Sequence, residues 1–144
     1  MTKEDHEIVY RLLLKAAPDR IFAFVATDQG RGKFWAERTE QQQQNIVFHF
    51  SDGQKLSSQV LESTPYHRFS LTYFNGSIVS FDIHEETDGT ILQLRETNLS
   101  ASDERQNRAG WVSVLLNLKA QADFGIDLRN HHPHYTWSEG YVGN

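Results

Sequence analysis

The sequence predicts an α+β domain in which a curved antiparallel sheet wraps around one long C-terminal helix, with two short helices after the first strand. Three observations lead to this fold class. Short alternating segments separated by Asp-Gly or Asn-Gly pairs fill the middle of the chain, one long amphipathic segment follows them, and 144 residues suffice for one domain with a sizeable core. Such a sheet has one apolar face, which only the long helix is large enough to cover.

The chain begins with a predicted strand over residues 6–16, HEIVYRLLLKA. Alternation places its even-numbered apolar side chains on one face, and those are Ile8, Tyr10, Leu12 and Leu14. Val9 and Leu13 fall on the other face, so we expect this strand to be partly covered on both sides.

Two short helical segments are predicted next. Pro18 suits the first position of a helix, and Asp19 lies at the positive end of the helix dipole. Ile21, Phe22 and Val25 then share one face, which predicts a helix over residues 18–26. A second helical turn over residues 28–34 is interrupted by two glycines.

An antiparallel meander is predicted for the middle of the chain. Asp52-Gly53, Asn75-Gly76 and Asp88-Gly89 tolerate the positive φ angles of tight hairpin turns, and a further turn lies at 63–65. These turns separate five predicted strands over residues 45–50, 54–62, 67–74, 77–86 and 90–97. The element order is therefore β-α-α-β-β-β-β-β-α, with six strands.

One face of this meander is predicted to be wet. Val79, Phe81 and Ile83 alternate with Ser80, Asp82 and His84, which we interpret as a buried and a solvent face. The glutamine run at 41–44 is interpreted as a solvated loop or a strand edge.

The C-terminal helix is predicted over residues 103–124, about 33 Å long at ~1.5 Å per residue. Ser102 is the predicted N-cap, acidic residues occupy the first turn, and Gly125 is the natural stop. A narrow apolar stripe runs along it, formed by Trp111, Leu115, Leu118 and Ala122 with Val114 beside them.

The same stripe becomes polar towards the helix N-terminus, at Glu104, Asn107 and Arg108. Two interpretations remain open. Either the helix overhangs the sheet there and these side chains lie in water, or they stand at the mouth of a cavity between helix and sheet.

Composition excludes several classes of function. The net charge of -5 argues against a surface for nucleic acid or anionic membranes, which would need clustered positive charge. The absence of cysteine excludes disulfides, a thiol nucleophile and Cys-based zinc sites. No segment reaches the apolar length of a membrane span. The start, MTKEDHEIVY, is polar and acidic where a secretory signal would be basic and then apolar, so we expect a cytoplasmic protein.

No motif in the sequence carries catalysis or a cofactor. The spacings of a phosphate-binding loop and of a Gly-x-Ser-x-Gly nucleophile turn are absent. His131, His132 and His134 could be metal ligands, but Pro133 intervenes and spacing places no carboxylate beside them, so we expect a surface tail without metal. Five titratable or charged strand residues could point into a cavity or out of it: Glu62, Asp82, His84, Arg95 and Glu96.

Three segments resemble one known family. They are APDRIFAFVATDQGRGKFW at 17–35, the Gly89-Thr90 pair, and GWVSVLLNLK at 110–119. With them the chain resembles the helix-grip fold of the START-like, or SRPBCC, superfamily, to which Bet v 1-like proteins belong. It is similar there to bacterial relatives of the C-terminal domain of the Hsp90 ATPase activator, over roughly residues 6–122.

This resemblance implies an apolar cavity under the C-terminal helix, which in the superfamily holds lipids, sterols or polyketides. The family shares no catalytic signature, so the first hypothesis is a non-enzymatic binder of a small hydrophobic or amphipathic molecule, without cofactor. The expected ligand-binding residues are Phe22, Trp35, Phe48, Phe69, Tyr73, Phe81, Asn107, Arg108, Trp111, Leu115 and Leu118.

Two other hypotheses stay open. One is a cyclase, hydratase or hydrolase acting in the same cavity, and the other is an interaction module for a chaperone or another protein. The whole chain, residues 1–144, is expected to form one domain, with residues 126–144 as a C-terminal extension. That extension contains Leu128, Tyr135, Trp137 and Tyr141, so we expect it to pack on the domain rather than remain free.

Overall fold

The computed structural model describes residues 6–143. The polar start over residues 1–5 and the last residue of the predicted extension, Asn144, lie outside this range. The elements, in chain order, are β1 His6–Leu14, α1 Pro18–Ala26, α2 Asp28–Arg31, β2 Arg38–Gln42, β3 Asn45–His49, β4 Lys55–Thr64, β5 Arg68–Thr72, β6 Ile78–Glu86, β7 Gly89–Leu99 and α3 Ala101–Phe124. Single 3-10 turns occur at Phe74–Gly76 and Trp137–Glu139.

The predicted fold class is confirmed: this is a helix-grip α+β fold. One curved antiparallel sheet has the strand order β1-β7-β6-β5-β4-β3-β2, so β1 and β2 are its edges. The long helix α3 lies across the inner face, and α1 and α2 follow β1 as the sequence predicts.

The strand count is the main difference from the prediction. The described residues form seven strands rather than six, because Arg38–Gln42 pairs with β3 as an edge strand. Two alternate side chains of this strand are bound to α2: Thr39 and Gln41 both accept hydrogen bonds from the buried guanidinium of Arg31. The first two glutamines of the run at 41–44 thus belong to an edge strand, which agrees with one of the two interpretations, a loop or a strand edge.

The N-cap of α3 was predicted at the wrong serine. The helix begins at Ala101, and the hydroxyl of Ser100, not that of Ser102, accepts a hydrogen bond from the backbone amide of Asp103 at 3.0 Å. Strand β7 ends at Leu99, so the chain turns directly from strand to cap. Gly125 ends the helix in the left-handed conformation, as predicted.

The core lies between the sheet and α3. Val79, Phe81 and Ile83 point inward as predicted, and β1 and β7 contribute further aliphatic side chains. The predicted solvent face is only partly wet, because Ser80 is buried beside Ser70 under the Arg68 guanidinium. His84 at the end of β6 is exposed.

The meander brings several loops to one end of the molecule. In an antiparallel meander every second connection lies at the same end of the sheet. The β3–β4 and β5–β6 connections therefore share an end, and the start of α3 joins them because it follows β7.

Candidate functional site

A groove with a volume of about 800 Å³ opens at this end of the molecule, between the loop tips and the N-terminal half of α3. Its walls combine aromatic residues that precede β2 or lie in the two connections, polar residues of α3, and two residues of the C-terminal extension. The aromatic lining consists of Phe34, Trp35, Phe50, Tyr73, Phe74, Trp111 and Trp137. All of the chain's tryptophans therefore line this groove.

Three of these rings form a packed cluster at the inner wall of the groove. The ring centroids of Trp35 and Trp111 are 5.9 Å apart, and those of Tyr73 and Trp111 are 5.3 Å apart. The indole nitrogen of Trp35 donates a hydrogen bond to the Tyr73 hydroxyl at 3.0 Å. Burial raises the pKa of Tyr73, and the nearby negative charge of Glu96 raises it further, so this hydroxyl is a neutral phenol.

A fully buried carboxylate lies directly behind the groove wall. Glu96 of β7 is 0% exposed. Its Oε1 atom accepts a hydrogen bond from the Trp111 indole at 2.7 Å, and its Oε2 atom accepts one from the Ser77 hydroxyl at 2.7 Å. The side-chain nitrogen of Asn107 is 3.2 Å and 3.3 Å from the two oxygens and donates to both.

The sequence left open whether Asn107 lies in water or at the mouth of a cavity, and these hydrogen bonds decide the question for this residue. The side chain does not simply lie in water, because it is bound to the buried carboxylate while also lining the groove. Glu104 and Arg108 behave differently: they pair with each other at 3.0 Å, Glu104 also contacts His6, and neither lines the groove.

The expected ligand-binding residues separate into two groups. Trp35, Tyr73, Asn107 and Trp111 come together at the inner wall of the groove, where Trp35 and Trp111 are only 4% and 3% exposed. The others do not line it: Phe48, Phe69, Phe81, Leu115 and Leu118 are buried in the core, Phe22 packs partly buried against it, and Arg108 lies beside β1, over the Tyr10 ring.

Sequence reasoning left Phe34, which precedes β2, out of the ligand-binding set, and it missed the groove residues in the β3–β4 and β5–β6 connections, namely Phe50, Asp52, Phe74 and Asn75. The residues of these two connections come together because every second connection of a meander lies at the same end of the sheet, and the predicted strand order already implied this. Glu96 was left open as pointing in or out. Its position in β7 has the same parity as Leu92 and Leu94, which are buried, so alternation would have placed it inside.

The extension after α3 contacts the domain through Arg129. Its guanidinium donates hydrogen bonds to the carbonyl oxygens of Ala36 at 2.9 Å and Gly32 at 2.8 Å. It also pairs with Asp127, whose pKa is lowered to about 2 because the hydrogen bonds from Arg129 and His131 outweigh the opposing effect of burial.

The histidines of the extension make protein contacts. His131 bridges Glu37 at 2.7 Å and Asp127 at 2.6 Å, while His132 stacks on Tyr135. Among residues 6–143, no group of three or more His, Asp or Glu side chains is arranged to hold a metal ion. Nor is any helix in that range long and apolar enough to cross a membrane.

Several solved structures share this fold. A protein from Staphylococcus saprophyticus is 17% identical with a TM-score of 0.75, covering 84% of this chain and 94% of its own. The Aha1 dimer from Colwellia psychrerythraea is 22% identical with a TM-score of 0.74, covering 83% and 98%. CalU16 from Micromonospora echinospora is 21% identical with a TM-score of 0.67, covering 79% and 72%. At these identities the likeness shows the fold.

Sequence comparison assigns the family. No curated protein matches the chain. The family model described as Activator of Hsp90 ATPase homolog 1-like protein matches residues 15–123, which is most of the chain and confirms the resemblance. The chain therefore belongs to the Activator of Hsp90 ATPase homolog 1-like family.

Proposed function

We propose that the chain binds a small amphipathic molecule in the groove between α3 and the loop tips. One observation carries the proposal: seven aromatic residues line about 800 Å³ of open space. This volume is in the range of pockets that hold small molecules, which are mainly apolar with a few placed polar groups. Binding would come from burying apolar ligand surface, at roughly 25 cal/mol per Å² before the costs of association.

The groove is not the cavity under the whole helix that the family resemblance implies. The inner part of the boundary between helix and sheet is filled by Phe81, Leu115 and Leu118, all buried. The open space lies beyond this packed part, between the loop tips and residues 103–117 of α3. We therefore assign the ligand to this outer end, where the polar rim of Asp52, Asp103 and Arg105 would meet its polar part.

The tryptophans provide the test, because each one lines the groove. Fatty acids, sterols and flavonoids are titrated into ¹⁵N-labelled protein, and the indole N–H signals are followed by NMR. We expect saturable shifts of the Trp35 and Trp111 signals with at least one class. If no compound moves these signals, the proposal fails.

A matched pair of variants locates the binding. Gly110 lines the groove, and a Cβ atom added there meets nothing within 4 Å, so Gly110→Leu fills the groove without a backbone clash. Val112→Leu places the same leucine side chain on an exposed part of the same helix that does not line the groove. We expect Gly110→Leu to weaken binding at least tenfold and Val112→Leu to leave it unchanged.

The remaining expectations stay predictions. A cytoplasmic location, a reaction in the groove and a chaperone partner have no support beyond family membership, and the same holds for the boundary of the extension at residue 126. Of the five strand residues considered for a reaction, Glu96 is the buried one, but its carboxylate is covered by Trp111 and Asn107 and does not line the groove.

A further inference from the structure

The buried carboxylate behind the groove has hydrogen-bond donors but no cation beside it. Glu96 is 0% exposed, and its partners Ser77, Asn107 and Trp111 are all uncharged. None of the ion pairs formed within residues 6–143 includes it. Buried carboxylates are usually paired with a positive group, because uncharged donors offset only part of the desolvation cost. The negative charge of Glu96 is therefore not neutralised by a neighbouring cation, and it attracts a positive group placed in the adjacent space.

That space is the groove, and aromatic rings stand between it and the charge. The Trp111 indole donates its N–H to Glu96 while its ring borders the groove, and the Tyr73 ring packs beside it. Donation to an anion polarises the indole and makes its face more negative. A positive charge over faces of this kind is attracted by the ring quadrupole, the more so when it is desolvated.

The rim of the groove is also negatively charged, like Glu96. Asp52 in the β3–β4 connection and Asp103 in the first turn of α3 both line the groove. Arg105 is the basic residue among those that line it. With Glu96 behind the wall, the negative groups outnumber the positive one.

We propose, resting on the function proposed above, that the groove selects organic cations: molecules with an apolar ring or chain that carry a protonated amine. The apolar part lies against the aromatic lining of the groove, and the ammonium group lies beside the wall formed by Tyr73 and Trp111, within the field of Glu96. Asn107 positions the carboxylate through its single nitrogen, which reaches both oxygens.

The test compares three probes that share a ring system and differ in charge. They are 2-(2-naphthyl)ethylamine, which is cationic at pH 7, the neutral 2-(2-naphthyl)ethanol, and the anionic 3-(2-naphthyl)propionate. Their affinities for the full chain are measured by titration calorimetry at low and high salt. We expect the amine to bind about tenfold more tightly than the alcohol, as cation–π attraction in a partly desolvated site would give. The propionate should bind most weakly, and added salt should weaken the amine selectively.

Two charge-neutralising variants locate the source of selectivity. Glu96→Gln keeps the shape of the side chain, and the Asn107 amide and Ser77 hydroxyl can reorient to match its altered donors. We expect the ratio of amine to alcohol affinity to fall to about twofold or less, while the alcohol affinity changes less than threefold. Glu85→Gln removes the same charge from an exposed position of β6 that does not line the groove, and it should preserve the ratio.

Each result separates this inference from the proposed function. If the alcohol binds as tightly as the amine, the groove binds ligands but does not select cations, and the inference is overturned. Preference for the propionate overturns it as well. If none of the probes binds while a fatty acid, sterol or flavonoid does, the inference is overturned and the proposed function stands. The probe series and its salt dependence in the unmodified protein decide the question even if Glu96→Gln does not fold.

Discussion

Replacing Trp111 by phenylalanine tests how firmly the groove wall is tied to the sheet. Trp111 is 3% exposed, and its indole N–H donates to Glu96 at 2.7 Å. Phenylalanine keeps an aromatic ring but removes this donor from a buried carboxylate, which costs roughly 1.5–3 kcal/mol. The smaller ring also leaves a space of roughly 40 Å³, worth about 1 kcal/mol. We expect the free energy of unfolding to fall by about 3 kcal/mol.

The assay is urea unfolding followed by far-UV circular dichroism, with Trp137→Phe as the matched control. Trp137 lines the same groove but is 47% exposed, so the same chemical change there should shift the free energy of unfolding by less than about 0.5 kcal/mol. Equal slopes of free energy against urea would show that both variants unfold from the same compact state. Equal losses in the two variants, or a loss under 1 kcal/mol at Trp111, would refute the reasoning.

Three further predictions concern the scaffold. A Cβ atom on Gly30 would lie 2.2 Å from a backbone oxygen of α1, so Gly30→Ala should cost more than about 3 kcal/mol in urea unfolding, while Gly110→Ala in α3 should gain roughly 0.5–1 kcal/mol from helix propensity. Burial lowers the pKa of His131, but its hydrogen bonds to two carboxylates outweigh this effect and raise the pKa. The stabilisation by His131 is therefore full below the ordinary pKa of 6.5 and is lost as pH rises through the raised folded-state pKa. The difference in melting temperature between wild type and His131→Gln should shrink from pH 6 to pH 8, and a constant or growing difference contradicts this. Arg129→Gln removes the guanidinium bonds to the 32–36 segment, so limited proteolysis should cut the extension several-fold faster, and an unchanged rate would show that Arg129 does not hold it.

The sheet and the long helix could be predicted because their signals are local. Asp-Gly and Asn-Gly turns and regular alternation specify the hairpins, and the apolar stripe of α3 specifies its buried face. Strand β2 could not be predicted in this way. Its residues are polar, and its pairing is supported by contacts of Thr39 and Gln41 with Arg31, which depend on how α2 packs. The cap of α3 was misplaced because Ser100 and Ser102 offer the same chemistry two residues apart, and the end of β7 decides between them.

The groove was predictable in part. Trp35 and Trp111 were recognised from the segments that carry the family resemblance, and Asn107 from the break in the apolar stripe. Whether an aromatic residue fills the core or lines an open space depends on three-dimensional distances, which the alternation pattern does not give. The sequence therefore could not show that Phe48 is buried in the core while Phe50 lines the groove. The contribution of the extension through Trp137 depends on a long-range contact that has no local signal.

The account's central claim is that a small molecule binds between α3 and the loop tips. Intermolecular nuclear Overhauser effects from a bound naphthyl probe test it most directly. The account predicts contacts to the ring protons of Trp35 and Trp111. Contacts only to exposed aromatic residues of the extension, such as Tyr135 and Tyr141, would contradict it, because they would place the ligand outside the groove.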